Sequence, residues 1–368
     1  MLIDGGAERF LVDLSNELVH KGHEVVVISL FPRDEEGLKY FPDLDPRIRL
    51  VFLDKKLGFD AKVILRLRKT LWKERPDYIH THLRVVNYLA IAGFLGLPKV
   101  PVVHTIHNDA RKEVSGDKEF KLRRFLFSTG RVFPVTISET SHASFLDYYG
   151  LKKVRRIDNG RMEPRSSAQM PELRTEVARL KERWGDDLRI WVNIGRITPQ
   201  KNQAMLVSAF AQILAEGHNG LLWILGTERA PVSAPILAEM APHMGERIVW
   251  LGGKSNATDY VHCADFFALS SLYEGMPISI IEAMACKALP VSTPVGGIPE
   301  MVAPHGVLSD TAEEGSYVDA LRTALNLNRA EHSQRTEALY QRYTERYSMR
   351  SCADAYIQLF QELKNRRS

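Results

Sequence analysis

Short apolar, β-branched runs alternate with stretches of helical periodicity along almost the whole chain. That alternation restricts it to α/β architectures built on parallel sheets. In the first half the strand pattern falls at 24–30, 48–53, 78–81, 100–105 and 131–137, and helical spacing fills 8–21, 61–74, 85–94 and 139–149. In the second half strands fit 189–194, 221–225, 248–251, 266–269 and 289–293, with helices at 203–216, 233–241, 257–262 and 278–286. Beyond Gly315 helical spacing continues to the end, and a last helix over 349–365 carries Ala353, Tyr356, Ile357, Phe360 and Leu363 on one stripe. Ligands of open parallel sheets bind beyond the carboxyl ends of the strands, so the loops there are the first place to look for chemistry.

A length of 368 residues supports two domains, each with its own core. The stretch Asp158–Pro171, with Gly160, Pro164, Ser166 and Ser167, reads as the linker. The expected division is residues 1–165, 166–345 and a terminal helix over 346–368. A hydrophobic share of 45% and a charged share of 26% are those of a globular protein outside the membrane, and no apolar run is long enough to span one. No basic, then apolar, leader begins the sequence. Cys263, Cys286 and Cys352 are odd in number and far apart, which points to a reducing cytosol rather than to disulfides or a cysteine metal site.

The net charge of +4 is too small to imply nucleic acid as a partner, but it is unevenly placed. Lys62, Arg66, Arg68, Lys69 and Lys73 interleave with Val63, Ile64, Leu65, Leu67, Leu71 and Trp72, and a second such stretch runs from Lys118 to Arg131. Two readings fit. One is a solvated helix face over a buried apolar stripe. The other is reversible docking on an anionic membrane leaflet.

Among the loops, residues 274–282 read Glu-Gly-Met-Pro-Ile-Ser-Ile-Ile-Glu. Pro277 suits the first turn of a helix, and the backbone amides of Gly275, Met276, Pro277's neighbours and Ile278 would surround an anion at that helix start. Glu274 would sit at its mouth and Glu282 one to two turns inside, each able to hold hydroxyls; an ordinary acidic helix start is the plainer reading. Gly195-Arg196-Ile197-Thr198-Pro199-Gln200-Lys201-Asn202 also follows a strand and precedes a helix, where Arg196 and Lys201 could supply charge to a diphosphate or merely face solvent. Gly5-Gly6 lets a backbone approach a ligand closely, without the spacing of a nicotinamide fingerprint. His107 ends the run from Val102, and His104, three residues earlier, falls on the opposite face of a strand, a poor arrangement for a shared metal. His80-Thr81-His82 ends another strand, Asn159-Gly160 and Ser138-Glu139 are weaker candidates that a turn and a helix cap explain, and Gly226-Thr227 is a weaker candidate that follows a strand.

Residues 273–299, together with Gly195–Asn202, resemble the signature segments of the family 4 glycosyltransferases, retaining enzymes of the GT-B fold with an E-x7-E motif. The resemblance implies two Rossmann-like domains facing across a cleft, a terminal helix returning to the N-terminal domain, and a nucleotide-sugar donor, with a UDP-sugar preferred. It implies that Arg196 and Lys201 grip the pyrophosphate with the amides around Gly275, that Glu282 holds the ribose, and that Glu274 and His107 face the transferred hexose. Gly5-Gly6 would face the donor from the acceptor domain. No metal and no cofactor are expected. The acceptor would be an oligosaccharide or lipid-linked glycan of envelope or exopolysaccharide synthesis, handled in the cytoplasm at the inner face of the membrane. A nucleotide-sugar 2-epimerase and a non-catalytic nucleotide-sugar-binding protein are the alternatives. One departure stands out, since the family's first strand precedes the Gly-Gly-Ala-Glu-Arg turn and here that turn is Gly5–Arg9. The first strand is therefore expected to be missing, preferably because the sequence starts late or is a fragment.

Overall fold

The computed structural model describes residues 6–32, 43–56, 58–94 and 100–366. Gly5, named above as a candidate, lies outside them. The chain forms two compact units, Met1–Met162 with Arg346–Ser368 (unit 1) and Glu163–Glu345 (unit 2).

Unit 1 runs α1 (Gly6–His20), β1 (Val26–Ser29), β2 (Arg49–Phe52), α2 (Ala61–Glu74), β3 (Ile79–His82), α3 (Val85–Phe94), β4 (Val102–Ile106), α4 (Asp117–Ser128), β5 (Phe133–Thr136), α5 (Glu139–Tyr149) and β6 (Arg155–Arg156). Local chemistry sets several of these bounds. Asp60 caps α2 by accepting from the Lys62 amide. Ser138 and Ser141 form a capping box at the start of α5, which ends on Gly150 at φ 65°. All pairs are parallel, but the strands fall into two sheets, β1-β2 and β3-β4-β5-β6. The expectation of a missing first strand concerns residues ahead of Gly6, which lie outside the described residues.

Unit 2 runs α6 (Met170–Trp184), β7 (Arg189–Ile194), α7 (Gln203–Ala215), β8 (Gly220–Leu225), α8 (Ala234–Met240), β9 (Ile248–Gly252), α9 (Ala257–Cys263), β10 (Phe266–Leu269), α10 (Ile278–Ala285), β11 (Leu289–Ser292), α11 (Ile298–Val302), β12 (Val307–Leu308), α12 (Glu314–Leu325) and α13 (Arg329–Arg342). Its strands form one parallel sheet ordered β12-β11-β10-β7-β8-β9. Ile190, Trp191 and Val192 of β7 and every residue of β8 are buried, as befits strands covered on both faces. Helix α6 falls where the sequence suggested linker followed by nothing regular. Pro171 sits in its first turn, where a missing N–H costs nothing, and Met170 and Leu173 are its buried residues.

The last helix, α14 (Met349–Asn365), belongs to unit 1 and packs on α1. Gly160 explains part of that docking, since a Cβ there would lie 2.6 Å from the Cys352 Cβ and 2.8 Å from the Ser348 carbonyl. The Asn159-Gly160 pair is therefore a close-approach site as well as a turn.

Candidate active site

In unit 2 three loops at the carboxyl ends of β7, β10 and β11 are knit into one surface. The Leu272 amide donates to the Gln200 carbonyl at 2.8 Å, and the Gln200 side chain donates to the Tyr273 carbonyl at 2.9 Å. Ser270 Oγ donates to the carbonyls of Lys201 and Asn202 at 2.9 and 3.0 Å. Thr293 Oγ1 donates to the Ser271 carbonyl at 2.6 Å, and the Gly297 amide to the Gly275 carbonyl at 2.9 Å. Every bond joins loops from different strands, so residues distant in sequence share one rigid frame.

On that frame Lys201 Nζ meets Glu274 Oε1 at 2.5 Å, and Ser271 Oγ donates to the same oxygen at 2.6 Å. The Glu274 side chain is 8% exposed and Lys201 17%, so the pair is largely withdrawn from water, where a charge–charge contact is strong. The sequence reading had given these two residues separate partners, a hexose and a diphosphate. In the structure they hold each other.

Glycines make the close packing possible. A Cβ at Gly296 would lie 1.9 Å from the Glu274 carbonyl oxygen, and Gly296 also has φ +58°. At Gly226 a Cβ would lie 1.9 Å from the Gly195 carbonyl oxygen. Ser271 and Gly296 were missed by sequence reasoning, although both lie within or beside the strings it quoted. Arg196 stands exposed on the loop after β7.

Gly275, Met276, Pro277 and Ile278 lead into α10. Pro277 occupies the N-cap itself, with an extended φ of −71° and ψ of 120°, rather than the first helical turn expected for it. No side chain caps this helix start. The Met276 side chain is buried, which anchors the turn, and Glu282 lies in the second turn of α10, partly exposed. Eight of the candidate residues, Arg196, Lys201, Glu274, Gly275, Met276, Pro277, Ile278 and Glu282, are thus gathered in unit 2.

The other two described candidates lie in unit 1. His107 follows β4 and its Nε2 is 3.0 Å from His82 Nδ1, at the end of β3. Phe10, in the second turn of the helix opened by exposed Gly6, packs edge-on against both rings. The His107 amide donates to Glu113 Oε1 at 2.6 Å. His104 turns away to Thr81 Oγ1, 3.0 Å, while His80 meets Thr105 Oγ1, which in turn meets the Tyr356 hydroxyl, both at 2.7 Å. Among the described residues no group of three or more His, Cys, Asp or Glu side chains is arranged to hold a metal ion.

Burial governs the titration of this cluster. It lowers His107 to about 4 and His80 to about 3, and it holds His82 and His104 well below the ordinary histidine range, with the Arg123 charge adding to the effect at His104. These rings are neutral at pH 7, so a hydrogen bond between His82 and His107 needs one nitrogen to donate and the other to accept. Glu113 moves the opposite way, raised by burial to about 7 against the pull of Arg123. Arg123 itself is 1% exposed and reaches Glu119 at 2.8 Å and Glu113 at 3.5 Å. It therefore belongs to the core, and the solvated or membrane-facing role read for it from the Lys118–Arg131 stretch is corrected.

The family model described as Glycosyltransferase Family 4 matches residues 4–161, and that described as Glycosyl transferases group 1 matches residues 189–326. Together the two matches, which cover most of the chain, support a GT-B glycosyltransferase. The chain is similar to an N-acetyl-alpha-D-glucosaminyl L-malate synthase of Bacillus anthracis, 21% identical over 98% of this chain and 96% of that one. It is also similar to a UDP-Gal:alpha-D-GlcNAc-diphosphoundecaprenol alpha-1,3-galactosyltransferase of Escherichia coli, 24% identical over 76% and 75%. Among solved structures it shares the fold of Anabaena Alr3699/HepE in complex with UDP-glucose, with a TM-score of 0.77, 18% identity, and coverage of 98% of this chain and 96% of that one.

Proposed function

We propose that this chain, a GT-B glycosyltransferase by its two family matches and its fold, moves a hexose-type sugar from a UDP-sugar to a glycan or lipid-linked acceptor, with retention at the anomeric carbon and without a metal. The observation that carries the proposal is the loop surface of unit 2, where Lys201, Glu274 and the uncapped start of α10 meet over the carboxyl ends of β7 and β10. A leaving diphosphate gains negative charge as the glycosidic bond breaks. Arg196, Lys201 and the amides at the start of α10 are cationic or positively polarised groups fixed in advance, which is the arrangement that stabilises such charge. Binding a diphosphate would draw Lys201 toward it and leave Glu274 Oε1 with Ser271. Glu274 would then be free to meet a sugar hydroxyl, and Glu282, one turn further in, a ribose. The acceptor attacks from the face the diphosphate leaves, so no carboxylate nucleophile is required.

The Escherichia coli relative, whose name gives a lipid-linked acceptor, supports a membrane-surface substrate. So does the outer face of α2, where Leu65 and Trp72 are exposed beside Arg68 and Lys69. Each basic residue near an anionic leaflet contributes about 1 kcal/mol. No helix among the described residues is long and apolar enough to cross a membrane.

Transfer from a panel of UDP-sugars to membrane-extracted acceptors, with product stereochemistry read by NMR, tests the proposal. Glu282→Ala and Lys201→Ala should each abolish transfer in a folded protein, and chelator should leave the parent rate unchanged. Full activity in both variants would sink the site assignment; an inverted product or loss with chelator would sink the mechanism.

A further inference from the structure

Glu113 and Arg123 of unit 1 are charged side chains withdrawn from water, 6% and 1% exposed, that take no part in the chemistry proposed above. Ions are costly to bury, and an apolar pair of similar volume is often no less stable in their place, so stability alone does not call for them. Their contacts do. The guanidinium lies 2.8 Å from Glu119 on its own helix and 3.5 Å from Glu113, and its Nε donates to Asn87 Oδ1 of α3 at 3.3 Å. It also stands 3.5 Å from the Leu83 carbonyl, directly after His82. At 3.5 Å in a buried setting the attraction is one of charge more than of a short hydrogen bond.

The backbone that Glu113 meets needs holding. The register of β3 on β4 sets His82 opposite Thr105, and the ladder of β4 on β5 ends at Ile106 opposite Thr136. The 3.0 Å contact between the His82 and His107 rings is thus made past the point where strand pairing fixes the chain. Beyond it a turn closes from the Lys112 amide to the Asp109 carbonyl at 3.0 Å, and Asp109 Oδ1 accepts from the Arg111 amide at 2.8 Å. This turn returns Glu113 to the strand end. There Oε1 accepts from the amides of His107 at 2.6 Å and Asn108 at 3.2 Å, while Oε2 faces Arg123.

We propose that Glu113 is the positioning residue of His107: its carboxylate fixes the two amides on which the direction of the ring depends, and Arg123 is the counter-charge that keeps the carboxylate there. With Nε2 engaged by His82, the nitrogen that His107 leaves for a sugar hydroxyl is Nδ1, and its aim follows from the backbone that Glu113 holds. Glu113 acts only through that ring. A displacement of about 1 Å in such a group can cost about a hundredfold in rate. This role rests on the functional reading in which His107 meets the transferred sugar.

Replacing both members of the ion pair leaves neither as an unpaired charge in the core. The decisive comparison is therefore between Arg123→Met with Glu113→Gln and Arg123→Met with Glu113→Ala, because Gln keeps an oxygen for the two amides and Ala does not. Nitrogen NMR of histidine-labelled protein reads the His107 ring directly, its signals assigned by their loss in His107→Ala. In the Gln protein those signals and kcat should stay near the parent. In the Ala protein the signals should move and kcat should fall by about a hundredfold, with KM for the UDP-sugar unchanged. Unmoved His107 signals in the Ala protein, or equal displacement in both, would overturn the positioning role. So would a loss of kcat that follows the thermal midpoint rather than the ring signals. Parent-like kcat in His107→Ala would instead overturn the reading of His107 itself, and the ring signals would still decide whether Glu113 sets the ring.

Discussion

The two units share a pattern of alternating strands and helices yet place their polar groups in opposite ways. Unit 2 has an unbroken six-stranded sheet of apolar strands, and its candidate residues stand on loops that hydrogen-bond to one another above the strand ends. Unit 1 has its sheet in two pieces, and four histidines sit in the strands or directly at their ends, neutralised by burial. A loop-built site can exchange ionic partners with little disturbance of the core beneath. A strand-built cluster cannot gain a charge without charging the core itself.

The sharpest way to break that comparison is acid. An unfolded histidine titrates near 6.5, whereas the four in unit 1 hold their protons only at much lower pH when folded. As pH falls below 6.5 the unfolded chain takes up protons that the folded unit refuses, so stability is lost. Glu113 works the other way: raised to about 7, it keeps a proton between 4.5 and 7 that the unfolded chain releases, and so favours the fold as pH falls. Four protons against one leave a net slope of up to about 4 kcal/mol per pH unit between pH 6 and 5. Because His80 and His82 line a cavity in unit 1 and keep some solvent access, that slope is an upper bound. Hydrogen exchange should show unit 1 losing protection before unit 2 on acidification. Parallel loss in both units would erase the contrast.

Next in size is the ion pair of unit 2. Lys201→Ala removes a fixed cation from the proposed leaving-group site, at a cost of about 3–4 kcal/mol in the barrier, or roughly a thousandfold in kcat. Glu274→Gln keeps an acceptor for Ser271, so its thermal midpoint should stay nearer the parent than that of Lys201→Ala, which strands a buried carboxylate. Steady-state kinetics beside thermal melts separate the two effects.

Smaller again are the glycines. Ala at Gly226 or Gly296 forces a methyl against a carbonyl oxygen, an overpacking expected to cost about 1–3 kcal/mol in urea unfolding. Gly150 of unit 1, at φ +65° with open space around its Cα, should lose only the conformational part, about 1 kcal/mol on replacement by Ala. Equal costs at all three would show that the loop frame of unit 2 is looser than its hydrogen bonds suggest.

These same residues show how far the sequence could be read. The helices α2, α3, α5 and α14 and the strands β7 and β10 begin and end where periodicity and caps place them, because each boundary is set within a few residues of itself. Helix α6 escaped because its stripe is thin and a proline stands in its first turn. The loops of unit 2 were legible as strings, yet the Lys201–Glu274 bond spans 73 positions and no local pattern announces it. Arg123 illustrates the opposite error. Its neighbours on the helix are exposed cations, and the two glutamates paired with it lie four and ten positions away. For the Lys201–Glu274 pair what could not be read was a partner brought in by folding.

The smallest expected effect concerns the surface of α2, where that lesson can be tested in reverse. The Trp72 side chain is 52% exposed and Leu65 58%, with Arg68 and Lys69 between them on the outer face. An exposed aromatic contributes little to the core, so Trp72→Ala should change unfolding free energy by no more than about 0.5 kcal/mol. Activity on a water-soluble acceptor should likewise be unchanged. If the face docks on anionic lipid, however, Trp72→Ala should weaken sedimentation with phosphatidylserine vesicles, and Arg68→Glu with Lys69→Glu should weaken it further and remove its dependence on salt. Unaltered vesicle binding in both variants would return α2 to the plainer reading, a solvated face over Val63, Ile64, Leu67 and Leu71. Binding lost at constant stability would mean that this helix carries two apolar faces, one for the core and one for the membrane, which no single-stripe pattern in the sequence distinguishes.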